Sequence, residues 1–238
     1  MDTTLIKKYD KGSGFSYTFG AFPTFELVQH KPDVVECVLV HSKLQVSQEI
    51  EKLFDLCKAS GIEIIYNDKL IHKIVDKENC FLVGVFRKYE MTSKCGNNLV
   101  LVNPSDMGNL GTIMRTMLGF DFRNLIIVKP CVDYFNPKVI RASMGAIFSL
   151  NIVEMDSLDE YLAFSKNRKY PFMLKGKNVL GKFKFADASC DLIFGNEASG
   201  LPDSMLNVGD TVVIHHSKNI DSLNLPISVG IALYEFSK

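Results

Sequence analysis

The sequence predicts an α/β protein of two domains. A small α/β domain covers residues 1–90, and a larger one over 91–238 is built on a mostly parallel sheet. Three observations lead there. β-Branched runs alternate with segments of helical period along most of the chain. One stretch, RKYEMTSKCGNN at 87–98, is polar without apolar periodicity and reads as the junction. In the second half, three polar clusters each follow an apolar strand directly, which is where α/β sheets place their ligands.

In the first domain, VVECVLV (34–40) is β-branched and nearly continuous, as a buried strand requires. A helix follows over SQEIEKLFDLCKASG, with Ser47 as N-cap, Gly61 as stop and Ile50, Leu53, Phe54 and Cys57 at helical spacing. IEIIY (62–66) is the next strand, DKLIHKIV (68–75) a short helix and FLVGVF (81–86) a strand, giving helices packed on a sheet. Beyond the junction come strand LVLVN (99–103), a helix through NLGTIMRTMLG and strand NLIIVK (124–129). A helix near NPKVIRASMG and another over LDEYLAFSKN (158–167) follow. Strands DLIFG (191–195) and TVVIH (211–215) precede a terminal helix, PISVGIALYEF (226–236).

Composition narrows the class without naming a partner. Of 238 residues, 47% are hydrophobic and 23% charged, which suits a globular chain large enough for two modest cores. Lys+Arg and Asp+Glu are 27 each, so nucleic-acid binding depends on where the basic residues cluster after folding. The six cysteines (37, 57, 80, 95, 131 and 190) include no C-x-x-C pair and read as reduced thiols, mostly core fillers. The start, MDTTLIKKYDKGSG, lacks the apolar segment of a secretion signal, and no apolar run is long enough to span a bilayer. A soluble cytoplasmic protein is expected.

The three clusters carry the chemistry. NPSDMGNLGTIMRT (103–116) allows a tight turn at Gly108 and Gly111 into a helix that places Arg115 under two turns beyond Asn109. In isolation Arg115 reads equally as a surface arginine on an amphipathic helix. DLIFGNEASGLP (191–202) sets Glu197 between Gly195 and Gly200, a carboxylate that would repel a polyphosphate in a turn otherwise shaped for one. IHHSKNIDSLNLP (214–226) brings Ser222 and Asn224 before a helix that Pro226 can start, and either side chain also suits simple N-capping. Dinucleotide and triphosphate loops are missing, as is a G-x-S-x-G elbow. His215 and His216 cannot face one site from a strand, so no metal is expected. An adenosine carrying a positive charge would suit the Glu197 turn.

NLGTIMR, FGNEASGL and SLNLP, in that order and spacing, resemble the three signature motifs of the SpoU (TrmH-type) ribose 2′-O-methyltransferases of the SPOUT superfamily. NPKVIRASMGAIF (136–148) resembles a further stretch of that family. From GAFPTFELVQHKPDVVECVLV onward, the first domain is similar to the small RNA-binding domain that many members carry. The resemblance implies a parallel sheet with a deep trefoil knot, S-adenosylmethionine held by backbone at Gly195, Ile214 and Leu223, and a homodimer whose partner supplies the arginine. By the same motif match Arg115, Asn109, Glu197, Ser222 and Asn224 form the catalytic set. Where many members have Asp-Pro this chain has Asp106-Met107, and where many have Ile-Pro it has Ile214-His215, so pocket shape is the feature these departures touch.

The expected activity is methyl transfer to RNA ribose, with ribosomal RNA the leading substrate and transfer RNA the alternative. Relatives of this layout include enzymes conferring antibiotic resistance. A non-catalytic RNA-binding or ribosome-assembly protein of the same fold is the competing class, weighed against by the joint presence of Arg115, Glu197, Ser222 and Asn224. A third reading is a nucleotide-binding protein of unrelated activity. Arg141 and Ser143 read equally as RNA contacts and as helix packing. The segment 5–20 mixes Lys7, Lys8 and Lys11 with Tyr9, Phe15, Tyr17 and Phe19, suited either to phosphates and stacked bases or to a flexible tail.

Overall fold

The computed structural model describes residues 6–75, 79–92, 94–186 and 188–238. They fall into two units, Met1–Glu90 with Asp133–Ser149, and Met91–Val132 with Leu150–Lys238. A single cut at 90/91 therefore leaves residues 133–149 on the wrong side. They pack with the first unit because Ser16 Oγ donates to the Phe135 carbonyl and the Phe86 ring meets both Phe135 and Phe148.

The first unit holds β1 (Phe15–Phe19), α1 (Ala21–His30), β2 (Val35–Val40), α2 (Gln48–Ala59), β3 (Ile64–Tyr66), α3 (Asp68–Ile74) and β4 (Leu82–Arg87). Its sheet runs β1-β4-β2-β3, with only the β2–β3 pair parallel. α2 buries Ile50, Leu53 and Cys57, the positions its helical spacing selects. Ser47 stands at the N-cap, but its hydroxyl goes to Glu49 instead of a backbone N–H. Asn67 does cap α3, accepting from Leu70 N at 3.0 Å. A side chain at Gly84 would meet Thr18 Oγ1 at 2.5 Å, which is why β4 carries a glycine mid-strand.

Within 5–20 the chain forms β1, so of the two readings of that segment the flexible tail is not the one realised. Ile6 is 1% exposed, and Tyr17 is buried with its hydroxyl donating to the Lys7 carbonyl. Tyr9 donates to Asp133 and lies under Lys88. Tyr9 and Phe19 pack half-buried against the core cluster that holds Ile6 and Tyr17, and Phe15 is half-buried as well. Leu5, the first residue of that stretch, lies outside the described residues.

Within 133–149, α5 (Pro137–Ala142) is a short helix. Ser143 is fully buried, its hydroxyl donating to the Ile140 carbonyl, so of its two readings packing is the one realised; Arg141 is exposed.

The second unit contains β5 (Asn98–Val102), α4 (Met107–Gly119), β6 (Asn124–Val128), β7 (Asn151–Met155), α6 (Leu158–Phe164) and β8 (Arg168–Pro171). After them come β9 (Asn178–Val179), β10 (Cys190–Phe194), β11 (Val212–Val213) and α7 (Leu225–Phe236). Its main sheet is wholly parallel, in the order β7-β6-β5-β10-β8, and β9 pairs β11 separately. Val100, Val102, Ile126, Val128 and Ile193 share one core cluster, while the alternating Leu99, Leu101, Leu125, Ile127 and Leu192 are equally buried. Burial on both faces explains the near-continuous apolar strands. From β5 the chain winds outward through β6 and β7, then returns to β8 and β10 on the other side of β5. The reversal puts a crevice at the carboxyl ends of β5 and β10.

The amino ends of the same strands are closed by polar groups. Asn98, Asn124 and Asn151 lie in register across β5, β6 and β7. Asp191, fully buried on β10, accepts from Asn98 Nδ2 (2.7 Å), Tyr161 OH (2.7 Å), Ser165 Oγ (2.5 Å) and Asn167 Nδ2 (2.9 Å). Burial, and then the Asp191 charge, push the Tyr161 hydroxyl far above its ordinary pKa, so it stays a donor. Asp191→Ala orphans four donors at once and is expected to destabilise the fold by about 3–5 kcal/mol, read from urea unfolding. A loss under about 1 kcal/mol would mean that water replaces the carboxylate.

Candidate active site

The crevice is built by the loops after β5 and β10. After β5, Asn103 adopts φ 55°, and Asp106 caps α4 by accepting from Asn109 N at 2.7 Å. After β10 the backbone doubles back tightly: a Cβ on Gly195 would lie 2.1 Å from the Gly200 carbonyl carbon and 2.3 Å from Leu201 N. Gly200 N donates to the Asn196 carbonyl at 2.9 Å, and Gly200 takes the left-handed φ of +67° that closes the turn. Asn196 Oδ1 accepts from the N–H groups of Ala198 (2.9 Å) and Ser199 (3.2 Å).

Glu197 reaches from this turn to the first loop. Its Oε2 accepts from Ser105 Oγ at 2.8 Å and Ser105 N at 3.3 Å, and its Oε1 from Asn109 Nδ2 at 3.3 Å. Burial works to raise its pKa, but its own N–H, the Ser105 hydroxyl and the Asn109 amide outweigh that and hold the carboxyl below the ordinary glutamate range. It is a carboxylate at neutral pH.

A cavity of about 360 Å³ opens beside the turn, within the size range of small-molecule sites. Gly195 to Leu201 form one wall, Val213, Ile214, His216, Ser222 and Leu223 another, and the stacked rings of Phe172 and Phe194, 4.4 Å apart, line it as well. Lys175 and Asp203, both in its lining, form an exposed ion pair at 3.0 Å. His216 Nδ1 bonds the Ile214 carbonyl at 2.9 Å and must carry the proton, because a carbonyl only accepts.

Of the residues singled out in the sequence, Gly195, Glu197, Ile214, Ser222 and Leu223 line this cavity, and Asn109 is bonded to Glu197. Asn224 and Arg115 are exposed and do not line it. Asn224 occupies the N-cap of α7 without using its side chain as a cap. Arg115 lies six residues beyond Asn109 on α4, which turns it about 240° around the helix. It makes no hydrogen bond or ion pair among the described residues. Ser105 and Asn196 belong to the site although no motif position marked them. Both stood inside the quoted clusters, but their partners lie some ninety residues away. Among the described residues no group of three or more His, Cys, Asp or Glu is placed to hold a metal ion.

Fold and site define an α/β protein with a cavity at the carboxyl ends of its parallel strands, beside a glycine turn that carries an acid. The model of the SpoU rRNA Methylase family matches residues 96–234, and the chain belongs to that family. It is 30% identical to the 23S rRNA (adenosine(1067)-2'-O)-methyltransferase of Streptomyces azureus over 77% of this chain and 73% of the relative. It is 32% identical to an uncharacterized tRNA/rRNA methyltransferase of Synechocystis over 58% of this chain, a match that spans about half of that relative (51%). The structure of the SpoU methyltransferase AviRb from Streptomyces viridochromogenes, in complex with the cofactor AdoMet, superposes with a TM-score of 0.81 at 21% identity, covering 99% of this chain and 94% of that one.

Proposed function

We propose that this protein transfers a methyl group from S-adenosylmethionine to a ribose 2′-hydroxyl of RNA, with ribosomal RNA the substrate. One observation carries this: Glu197 on the β10 turn is bonded to Asn109 on α4, beside a cavity whose other wall is the 213–223 segment. Two motifs far apart in sequence thus line one cavity, and the third is tied to it through Asn109.

The residues present fit the cofactor. Gly195 leaves room for no side chain, so a ligand there meets bare backbone, and the nearby carboxylate favours a cationic nucleoside over a phosphate. Gly195, Ile214 and Leu223 would hold it through main-chain groups. When bound, the cofactor supplies a methyl group activated on a sulfonium, so the protein has chiefly to align the acceptor hydroxyl and assist loss of its proton. Arg115 binds the RNA phosphate and stabilises the alkoxide as charge develops; a guanidinium is a donor only and is not the base. Asn109 shapes the loop and contacts the substrate, and Glu197, Ser222 and Asn224 orient Arg115 or the ribose.

On the same reading the segments lining the cavity form a trefoil knot, the protein works in the cytoplasm, and it is a homodimer. Ile227, Ile231 and Tyr234 make a stripe on α7 that is 55%, 38% and 56% exposed, and α7 packs beside the helix carrying Arg115. Covering that stripe with a second copy buries the apolar surface and brings Arg115 to the partner's cavity. Light scattering is expected to give a dimer mass for the wild type and a monomer for Ile231→Glu; a monomeric wild type would overturn the dimer.

The ribosomal assignment is favoured by the S. azureus relative, whose match extends over more of the chain than the family domain alone. The activity is tested by offering labelled S-adenosylmethionine with unmodified transcripts of ribosomal and transfer RNA, followed by nucleoside analysis. A 2′-O-methyl nucleoside in ribosomal RNA is expected. Label in transfer RNA only would move the substrate class, cofactor binding without transfer would favour a non-catalytic RNA-binding protein, and no cofactor binding would overturn the proposal.

A further inference from the structure

We infer that Ser105 and Asn196 are positioning residues that lock the Glu197 carboxylate as a clasp between the β10 glycine turn and the start of α4, fixing Asn109 for methyl transfer. This rests on the proposed function and adds two residues to its site.

The clasp joins segments about ninety residues apart. Besides the bonds from Ser105 and Asn109, Glu197 Oε2 accepts from Asn196 Nδ2 at 3.3 Å. Three of these donors converge on Oε2 and the Asn109 amide takes Oε1, so the carboxylate ties its neighbours together chiefly through Oε2. The Asn196 amide has one workable orientation. Its Oδ1 must face the N–H groups of Ala198 and Ser199, so its NH₂ end faces the Asn103 carbonyl (2.8 Å) and Ser105 Oγ (3.3 Å). The turn that shapes the cavity is thereby tied to Asn103, a non-glycine residue held at φ 55°, a conformation that persists when its surroundings over-determine it.

The clasp sits on the α4 side of the turn, whereas Gly195 and Leu201 contact each other directly through backbone. Loosening it should therefore spare cofactor binding and disturb the placement of Asn109. Ser105→Ala removes one hydroxyl donor, and Ser105→Thr returns it. Asn196→Asp keeps the acceptor for Ala198 and Ser199 but sets an oxygen against Glu197 and the Asn103 carbonyl.

The full-length chain would be assayed by calorimetry with S-adenosylmethionine, by kcat and KM on the RNA transcript that accepts label, and by carbon NMR titration of the Glu197 carboxyl. Ser105→Ala is expected to keep cofactor Kd within about twofold, lower kcat about tenfold at unchanged KM, and raise the Glu197 pKa. Ser105→Thr restores both kcat and the Glu197 titration, and Asn196→Asp lowers kcat about a hundredfold. Wild-type kcat with an unmoved Glu197 titration in Ser105→Ala would overturn the inference. So would a kcat loss matched by lost cofactor affinity and not restored by threonine. A wild type that binds no cofactor overturns the proposed function instead, and the Glu197 titration still reads the clasp.

Discussion

Arg115→Ala will lower methyl transfer by about a thousandfold, the scale of removing one preorganised donor from a developing anion. Its melting temperature will stay at the wild-type value, because the side chain is exposed and forms no hydrogen bond or ion pair among the described residues. Cofactor affinity should hold as well, since Arg115 does not line the cavity. Arg115→Lys will recover only part of the loss, because an ammonium binds a phosphate as a point charge without the planar fork. Activity retained in Arg115→Ala would return Arg115 to the status of a surface residue.

Gly195→Ala will abolish cofactor binding, with affinity falling at least about a hundredfold. The new methyl group would lie 2.1 Å from the Gly200 carbonyl carbon, a distance that cannot be relieved by rotating a side chain because both neighbours are backbone. The turn must open, carrying Glu197 with it. Gly200→Ala is the informative contrast. A Cβ there meets nothing within 4 Å, but φ is +67°, so the cost is the left-handed backbone alone, about 1–2 kcal/mol. Calorimetry with S-adenosylmethionine separates the two: Gly200→Ala should bind and Gly195→Ala should not. Equal binding by both would show that the glycine turn is not the cofactor cradle.

The two variants also test each other. If Arg115 serves the partner's cavity, one chain of a mixed dimer lacks the arginine and the other lacks the cradle, leaving one site intact. Co-expression of Arg115→Ala with Gly195→Ala would then restore activity to about a quarter of wild type, half the dimers being mixed and each holding one of two sites. No restoration would place Arg115 in its own chain's site.

Much of the second unit was legible before folding. The run from β5 to β6 and strand β10 read correctly because both faces of a parallel sheet are buried, which leaves unbroken apolar stretches. β7 and β8 carry no such signature. β7 alternates through an exposed Glu154, and β8 opens on Arg168 and Lys169, so neither shows the apolar run of the central strands. β1 was hidden behind Lys7, Lys8 and Lys11, because aromatic rings beside basic residues have one signature in a tail and the same signature in a strand. Asp191 stood in plain view at the start of an apolar strand. Its meaning came only from Tyr161, Ser165, Asn98 and Asn167, which the fold gathers around it.

The sequence by itself determined the class of fold, the order of the motifs and the types of residue in the pocket. Local chemistry decides those: a glycine is needed where the backbone doubles back, a capping residue where a helix starts, β-branched runs where a sheet is buried. Tertiary structure alone decided that residues 133–149 pack with the first unit, that Arg115 is exposed outside the lining of the cavity its own chain forms, and that Ser105 and Asn196 complete the carboxylate clasp. Each depends on which distant segments meet, and the local pattern of a segment does not specify its partner.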